Sequence, residues 1–379
     1  MAFVLGVLLL ALLVGSWVYL VMIVVAAWRW VAVAKPPPDS HAPAGVSILK
    51  PLAGLDDGLE ANLRTFFTQD YSKFEILFAV RTPEDAAVAV VNKLRGEFAH
   101  VPSQFIFTGE PPYANAKVYS LDKMMTAAAY DLLVMSDSDI RVDRRMLTRV
   151  SEEFSADPKL GVATCPYRAI AGVSLWSQLE AVGMNTEFFG GVFVARMLEG
   201  MRFAVGPTIV ARKQALQAIG GFDRLKNYLA EDFVMGQFAA DAGWHVGLSS
   251  YVVEHRISSE TWAKNAAHRI RWARSTRRSR PAGYVGQLFT NPTPIALALS
   301  IVEPDWWPQL VVTAVLRAVA AWIVARRALG TRVSWGLLIP QDLLSFVFWV
   351  AGFFGNSIHW RGRRYKLETD GTFTLVREK

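Results

Sequence analysis

Three short clusters in this 379-residue chain hold residue types that do chemistry together: Asp137-Ser138-Asp139, Glu231-Asp232 and Arg271-Trp272. The first closes the apolar run Leu132-Leu133-Val134-Met135. Alternate strand residues point the same way, so two carboxylates one residue apart at a strand end can converge on one divalent ion carrying phosphates. The same pair standing alone is more often turn chemistry than a metal site, and company has to decide. Glu231 and Asp232 begin a predicted helix over 231–242, where the positive dipole end keeps a carboxylate ionised at neutral pH and able to accept a proton. Acidic residues also favour helix N-termini for purely structural reasons. Arg271 offers a fixed cation for negative charge.

Such groups need a scaffold. Apolar runs at 46–49, 74–80, 104–107, 132–135 and 160–164 read as strands, with helical patterns at 84–98, 116–129 and 144–154 between them. That alternation predicts an α/β domain with a mostly parallel sheet. A region of this length is able to bury its own core.

The composition is that of neither a soluble enzyme nor an all-membrane protein: 52% of residues are hydrophobic, yet 19% are charged. Residues 2–28 carry no charged side chain, more than the roughly 20 residues a helix needs to cross a bilayer. The stretch lacks the basic start and small-x-small site of a cleaved signal peptide. Arg29 and Lys35 follow it, which puts the bulk of the chain on the cytoplasmic side. Residues 35–44, with Pro36, Pro37, Pro38 and Pro43, read as a stiff spacer. Beyond the sheet region, 281–302 is uncharged, 306–325 is interrupted only by Arg317, and 343–358 is uncharged, giving two or three membrane elements.

The expected organisation is therefore an anchor at 1–34, a linker at 35–44, a catalytic domain at 45–260, a basic amphipathic interfacial helix at 261–284, membrane elements at 285–358 and a basic tail at 359–379. In the fourth segment Arg271, Arg274 and Arg278 recur at helical spacing beside Trp262 and Trp272, so the helix is expected to rest on anionic headgroups. The net charge of +7 agrees with basic cytoplasmic flanks, and the apolar surroundings argue against nucleic acid as a partner. The single cysteine, Cys165, excludes an intrachain disulfide and a thiolate cluster. No Walker loop, Gly-x-Gly-x-x-Gly turn or Gly-x-Ser-x-Gly elbow is present.

An Asp-x-Asp pair, a Glu-Asp pair and an x-x-Arg-Trp motif (His268-Arg269-Ile270-Arg271-Trp272), in that order, resemble the inverting family-2-type glycosyltransferases. Ser47-Ile48-Leu49-Lys50-Pro51-Leu52, Thr65 to Tyr71, Asp137 to Val142 and Trp360 to Tyr365 narrow the likeness to the family-21 ceramide glucosyltransferase group, which includes the bacterial hopanoid-biosynthesis glycosyltransferases. The resemblance covers the chain from about residue 45 onward.

It implies a GT-A-type nucleotide-diphospho-sugar transferase domain flanked by N- and C-terminal transmembrane helices in the bacterial inner membrane, facing the cytoplasm. It further implies transfer of a hexose or N-acetylhexosamine from a UDP-sugar to the hydroxyl of a membrane lipid, a hopanoid ahead of a ceramide. Asp232 would be the base, with Arg271 and Trp272 in the catalytic machinery. Lys50, Asp85, Lys117, Asp137 and Glu231 would hold the donor, while Asp137 and Asp139 would bind Mg2+ or Mn2+, Asp139 directly. Two positions depart from the pattern: some ceramide glucosyltransferases have Gly where Asp139 stands, and many relatives have Gln where His268 stands. A processive polysaccharide synthase shares these signatures, but the few apolar segments leave little material for a polymer channel. A catalytically silent scaffold would have been free to lose one of the motifs, and all are kept.

Overall fold

The computed structural model describes residues 2–33, 44–360 and 363–376. The proline spacer, apart from Ala44, and Arg361 of the tail lie outside them. The chain divides into two compact units. One, the sheet unit, comprises residues 34–167, 201–258 and 371–379; the other, the helical unit, comprises 1–33, 168–200 and 259–370. The segment Arg168–Gly200 therefore clusters with the helical unit, although the sequence reading placed it within a catalytic domain at 45–260.

The strands of the chain up to residue 257 are β1 (Val46–Pro51), β2 (Phe74–Val80), β3 (Ser103–Phe107), β4 (Leu132–Ser136), β5 (Ile140–Arg141), β6 (Leu160–Thr164), β7 (Tyr167–Ala171), β8 (Thr208–Arg212), β9 (His245–Leu248) and β10 (Val253–Ile257). Seven of them form one sheet in the order β3-β2-β1-β4-β8-β6-β9. β1 pairs in parallel with β2 (Val46↔Phe74) and with β4 (Val46↔Leu132). Such strands are covered on both faces, which is why Val46, Ile48 and Leu49 are fully buried in an unbroken apolar run. β8 runs antiparallel between β4 and β6 (Leu132↔Arg212, Val162↔Ala211), so the sheet is mixed but mostly parallel.

On one face, Leu49, Leu77, Leu133 and Met135 pack with Val118, Leu121 and Met124 of the helix Ala116–Ala127 and with Val234 and Met235 of the helix Glu231–Asp241. The spacing 118, 121, 124 is one apolar stripe of an amphipathic helix. That helix starts where the Asn115 side chain accepts the Val118 N–H at 3.1 Å, a capping bond that satisfies an orphan donor. β1 leads to β2 and β3 on one side, and β4 lies on its other side. The carboxyl ends of β1 and β4 thus flank a topological switch point, the place where open α/β sheets bind ligands.

Among the described residues the helical unit holds three helices long and apolar enough to cross a membrane: Phe3–Val33, Pro304–Ala328 and Trp335–Gly352. A further pair, Pro281–Thr290 and Pro292–Val302, is bent by 57° at its break and would count as a fourth if it were one span. Prolines 292 and 294 sit at the break, where a proline without an N–H begins a new helix at no cost to hydrogen bonding. The basic segment forms the helix Trp262–Ser279, capped by the Thr261 hydroxyl.

Candidate active site

β4 ends at Ser136, so Asp137 and Asp139 belong to the turn between β4 and β5, closed by Ile140 N–H on the Asp137 carbonyl at 3.4 Å. The strand alternation expected from the sequence does not apply to them. They are held by different partners. Asp137 Oδ1 lies 2.7 Å from Lys117 Nζ, and Lys117 in turn lies 3.5 Å from Glu231 Oε1. Asp139 Oδ2 lies 3.1 Å from His255 Nε2, while Asp139 Oδ1 is buried with no hydrogen-bond partner among the described residues.

Lys50, at the end of β1, is fully buried; its ammonium donates to the Asp137 carbonyl at 2.6 Å and Ser136 Oγ at 3.3 Å and sits 3.7 Å above the Phe66 ring. Burial pulls its pKa down to about 7, against the opposing pull of Asp137 and Asp139. Lys117 goes the other way: burial would lower it, but Asp137 and Glu231 together hold it above the ordinary lysine value. Burial would raise Asp139, but His255 together with Lys50 and a backbone hydrogen bond outweighs that and keeps the carboxyl below its usual range.

Asn115 connects the capped helix to the acidic pair, donating to the Tyr228 carbonyl at 2.9 Å and to Glu231 Oε2 at 3.3 Å. Glu231 and Asp232 open the helix Glu231–Asp241 as expected. The expectation that the helix dipole keeps Asp232 ionised at neutral pH is corrected. Burial, reinforced by the neighbouring Glu231, pushes its pKa up to about 7 despite Lys117 and the backbone N–H groups of Phe233 and Gly206. Two glycines permit this placement. A Cβ on Gly236 would meet the Phe203 carbonyl carbon at 2.5 Å, so the helix lies directly on that backbone, and a Cβ on Gly206 would meet Asp232 Oδ2 at 2.9 Å.

Of the donor-binding residues expected from the sequence, the structure brings Lys50, Lys117, Asp137 and Glu231 into one row with Asp232 beside it. Asp85 is engaged otherwise. Both its oxygens accept the Gly54 N–H, at 3.0 and 3.1 Å, and Oδ1 also accepts the Ala87 N–H at 2.9 Å, so it ties a loop to a helix start. Sequence reasoning missed His255 and Asn115. His255 reaches Asp139 because β5 and β10 pair antiparallel, Glu254 opposite Arg141 and His255 opposite Ile140, a register that no local pattern announces.

Arg271 and Trp272 belong to the helical unit. Arg271 lines a cavity of about 170 Å3 with Ala267, Ile270, Arg274, Ser357, Ile358 and His359. The Trp272 ring lies 4.6 Å from that of His268, whose Nδ1 is 2.9 Å from the buried Glu180. Of the arginines expected at headgroups Arg274 turns inward, and so do its neighbours Arg269 and Arg277. Arg269 donates to Gln341 and Ser345 at 3.1 and 3.2 Å. Arg274 donates to the carbonyls of Phe354 (2.9 Å) and Ser357 (2.5 Å), and Arg277 to those of Phe353 and Gly355. Together they satisfy carbonyls left open at and beyond the C-terminus of the helix Trp335–Gly352.

A mostly parallel sheet of this order, with charged side chains gathered at its switch point, defines a class, and comparison with known proteins fixes the family. The chain belongs to glycosyl transferase family 21, which matches residues 7–373. It is 28% identical over 236 residues to ceramide glucosyltransferase 3 of Caenorhabditis elegans, covering 62% of this chain and 51% of that protein. To ceramide glucosyltransferase 1 of the same organism it is 31% identical over 229 residues, covering 60% and 48%. The chain spans about half the length of these curated relatives. The fold is GT-A: a mannosyltransferase from Pyrobaculum calidifontis, solved with GDP-Man and Mn2+, superposes with a TM-score of 0.56 over 92% of this chain and 99% of that one, at 16% identity.

Proposed function

We propose that this protein is a membrane-bound inverting glycosyltransferase that moves a hexose or N-acetylhexosamine from a UDP-sugar to the hydroxyl of a membrane lipid. The observation that carries the reading is the row Lys50, Asp137, Lys117, Glu231 and Asp232 at the carboxyl ends of β1 and β4. Alternating charges at a switch point suit a nucleoside diphosphate on one side and a proton acceptor on the other. The apolar helices of the helical unit and the ceramide glucosyltransferase relatives support a lipid acceptor met at the bilayer.

Among the described residues no group of three or more His, Cys, Asp or Glu makes a metal cage. A cation that arrives with a diphosphate needs only one or two protein carboxylates, and the unpartnered Asp139 Oδ1 supplies a ligand atom. When bound, Mg2+ or Mn2+ neutralises charge on the leaving diphosphate. Lys50 and Lys117 are the sheet unit's own cations for the donor. Asp232 accepts the acceptor's hydroxyl proton as the oxygen bonds to the anomeric carbon and the diphosphate leaves. A pKa near the working pH suits a general base. A single displacement with one base inverts the anomeric centre, so a UDP-α-sugar gives a β-glycoside.

The test is incubation of the solubilised protein with radiolabelled UDP-sugars and a lipid extract. A labelled low-mass lipid is expected; a labelled polymer, or no labelled product with any donor, overturns the reading. Mass spectrometry of lipids from cells with and without the gene then names the acceptor. Loss of a glycosylated hopanoid or of a glycosylated ceramide distinguishes the two classes.

A further inference from the structure

We propose that residues 371–375, close to the end of the chain, form a strap that positions the catalytic base by clamping residues 227–229, just ahead of Glu231 and Asp232. This deepens the proposed function and rests on Asp232 being the base. Residues 259–370 cluster with the helical unit, yet from Gly371 the chain returns to the sheet unit. There the Phe373 N–H donates to the Asn227 carbonyl at 2.9 Å and the Leu229 N–H to the Gly371 carbonyl at 3.5 Å, on either side of an antiparallel bridge between Tyr228 and Thr372. Phe373 is 1% exposed, so a large buried ring seats the strap as well as its backbone. Gly371, at φ +83°, makes the left-handed turn into it that other residues adopt only under strain.

The clamped segment does not brace itself. Residues 226–230 belong to no helix or strand, and Ala230, at the N-cap of the helix Glu231–Asp241, supplies no side-chain cap. Asn115 holds the Tyr228 carbonyl at 2.9 Å with the same amide nitrogen that reaches Glu231 Oε2 at 3.3 Å, and the Tyr228 ring meets that of Phe238 edge-on at 6.1 Å. Three consecutive residues are thus held from outside, 227 and 229 by the strap and 228 by Asn115. Slack in the strap therefore passes to the start of the helix, and a base displaced by about 1 Å from the hydroxyl it serves can cost on the order of 10²-fold in rate.

The test uses the full chain in lipid nanodiscs, with turnover of radiolabelled UDP-sugar counted per UDP-binding site so that unfolded molecules drop out. Phe373→Ala should lower turnover per site by about 10–100-fold while the Kd for UDP stays within about threefold, and Phe373→Leu should keep most of the turnover. Tyr228→Cys combined with Thr372→Cys decides the matter if Phe373→Ala does not fold. Residues directly opposed in a non-hydrogen-bonded antiparallel pair have Cα atoms about 4.5 Å apart, within disulfide reach, and the one native cysteine, Cys165, is buried. A cross-link is expected on mild oxidation, with the closed form turning over at least as fast as the reduced one. Undiminished turnover per site in Phe373→Ala, failure of the two cysteines to join, or faster turnover on reduction overturns the inference while the proposed function stands. If the unaltered protein transfers sugar from no donor, both fall.

Discussion

In the helical unit Arg317 grips Asp342 through Nε and Nη2 at 2.8–3.1 Å, Thr293 donates to the same carboxylate at 2.7 Å, and Thr186 accepts from the guanidinium at 3.0 Å. In the sheet unit Lys50, Lys117, Asp137, Glu231, Asp232 and Asp139 are crowded just as closely, yet a carboxylate oxygen has no hydrogen-bond partner among the described residues. Lys50 and Asp232 there are both drawn to about 7. Closed bookkeeping of this sort marks a pair whose task is to join two apolar helices, where an unmatched charge would be expensive. Open valences and displaced pKa values mark a site that waits for a ligand.

The contrast breaks first at Asp232. Asp232→Asn should cut turnover by about 10²–10⁴-fold while UDP binding changes by no more than a few fold, as radiolabel transfer and calorimetry will show. Activity within tenfold of the unaltered protein would remove Asp232 from the role of base. Next is the closed pair. Asp342→Leu leaves Arg317 buried alone and should cost about 3–5 kcal/mol, whereas Arg317→Met with Asp342→Leu should recover most of that, measured by thermal unfolding in nanodiscs. Equal losses in the single and double variants would mean the two side chains do not act as a pair.

Gly236→Ala comes third. Its new methyl meets the Phe203 backbone, so the helix carrying Asp232 must shift; about 1–3 kcal/mol of stability should be lost together with turnover, and unchanged activity would show that the close approach is dispensable. The pH profile gives the smallest effect. Asp232, raised to about 7, acts as a base only when ionised, so turnover should climb about tenfold per unit below pH 7 and level off above it. Lys50, lowered to about 7, loses its charge over the same range, so donor KM should rise on the alkaline side. A turnover profile flat from pH 5.5 to 8.5 would contradict the first assignment.

Much of the scaffold was legible because local signals agreed with the fold. The runs at 74–80 and 160–164 match β2 and β6, and the helix that begins at Ala116 has its cap and stripe in plain view. β8 was not read, since Thr208–Arg212 is short and its place is decided by non-local pairing, Leu132↔Arg212 with β4 and Val162↔Ala211 with β6. Site residue types were legible, but their partners were not. Asp137 and Asp139 look like twins in sequence, and only the turn after β4 sends one towards Lys117 and the other towards His255. The dipole argument for Asp232 failed because a half-charge at a helix end is a smaller force than burial beside a second carboxylate.

The inward use of Arg269, Arg274 and Arg277 has a practical corollary. Guanidinium groups occupied by amide, hydroxyl and carbonyl oxygens of their own chain are not available as electrostatic glue for an anionic leaflet, despite a sequence that looks polybasic. These three leave any adhesion to a membrane resting first on the apolar helices, and washing membranes with concentrated salt should leave the protein where it was.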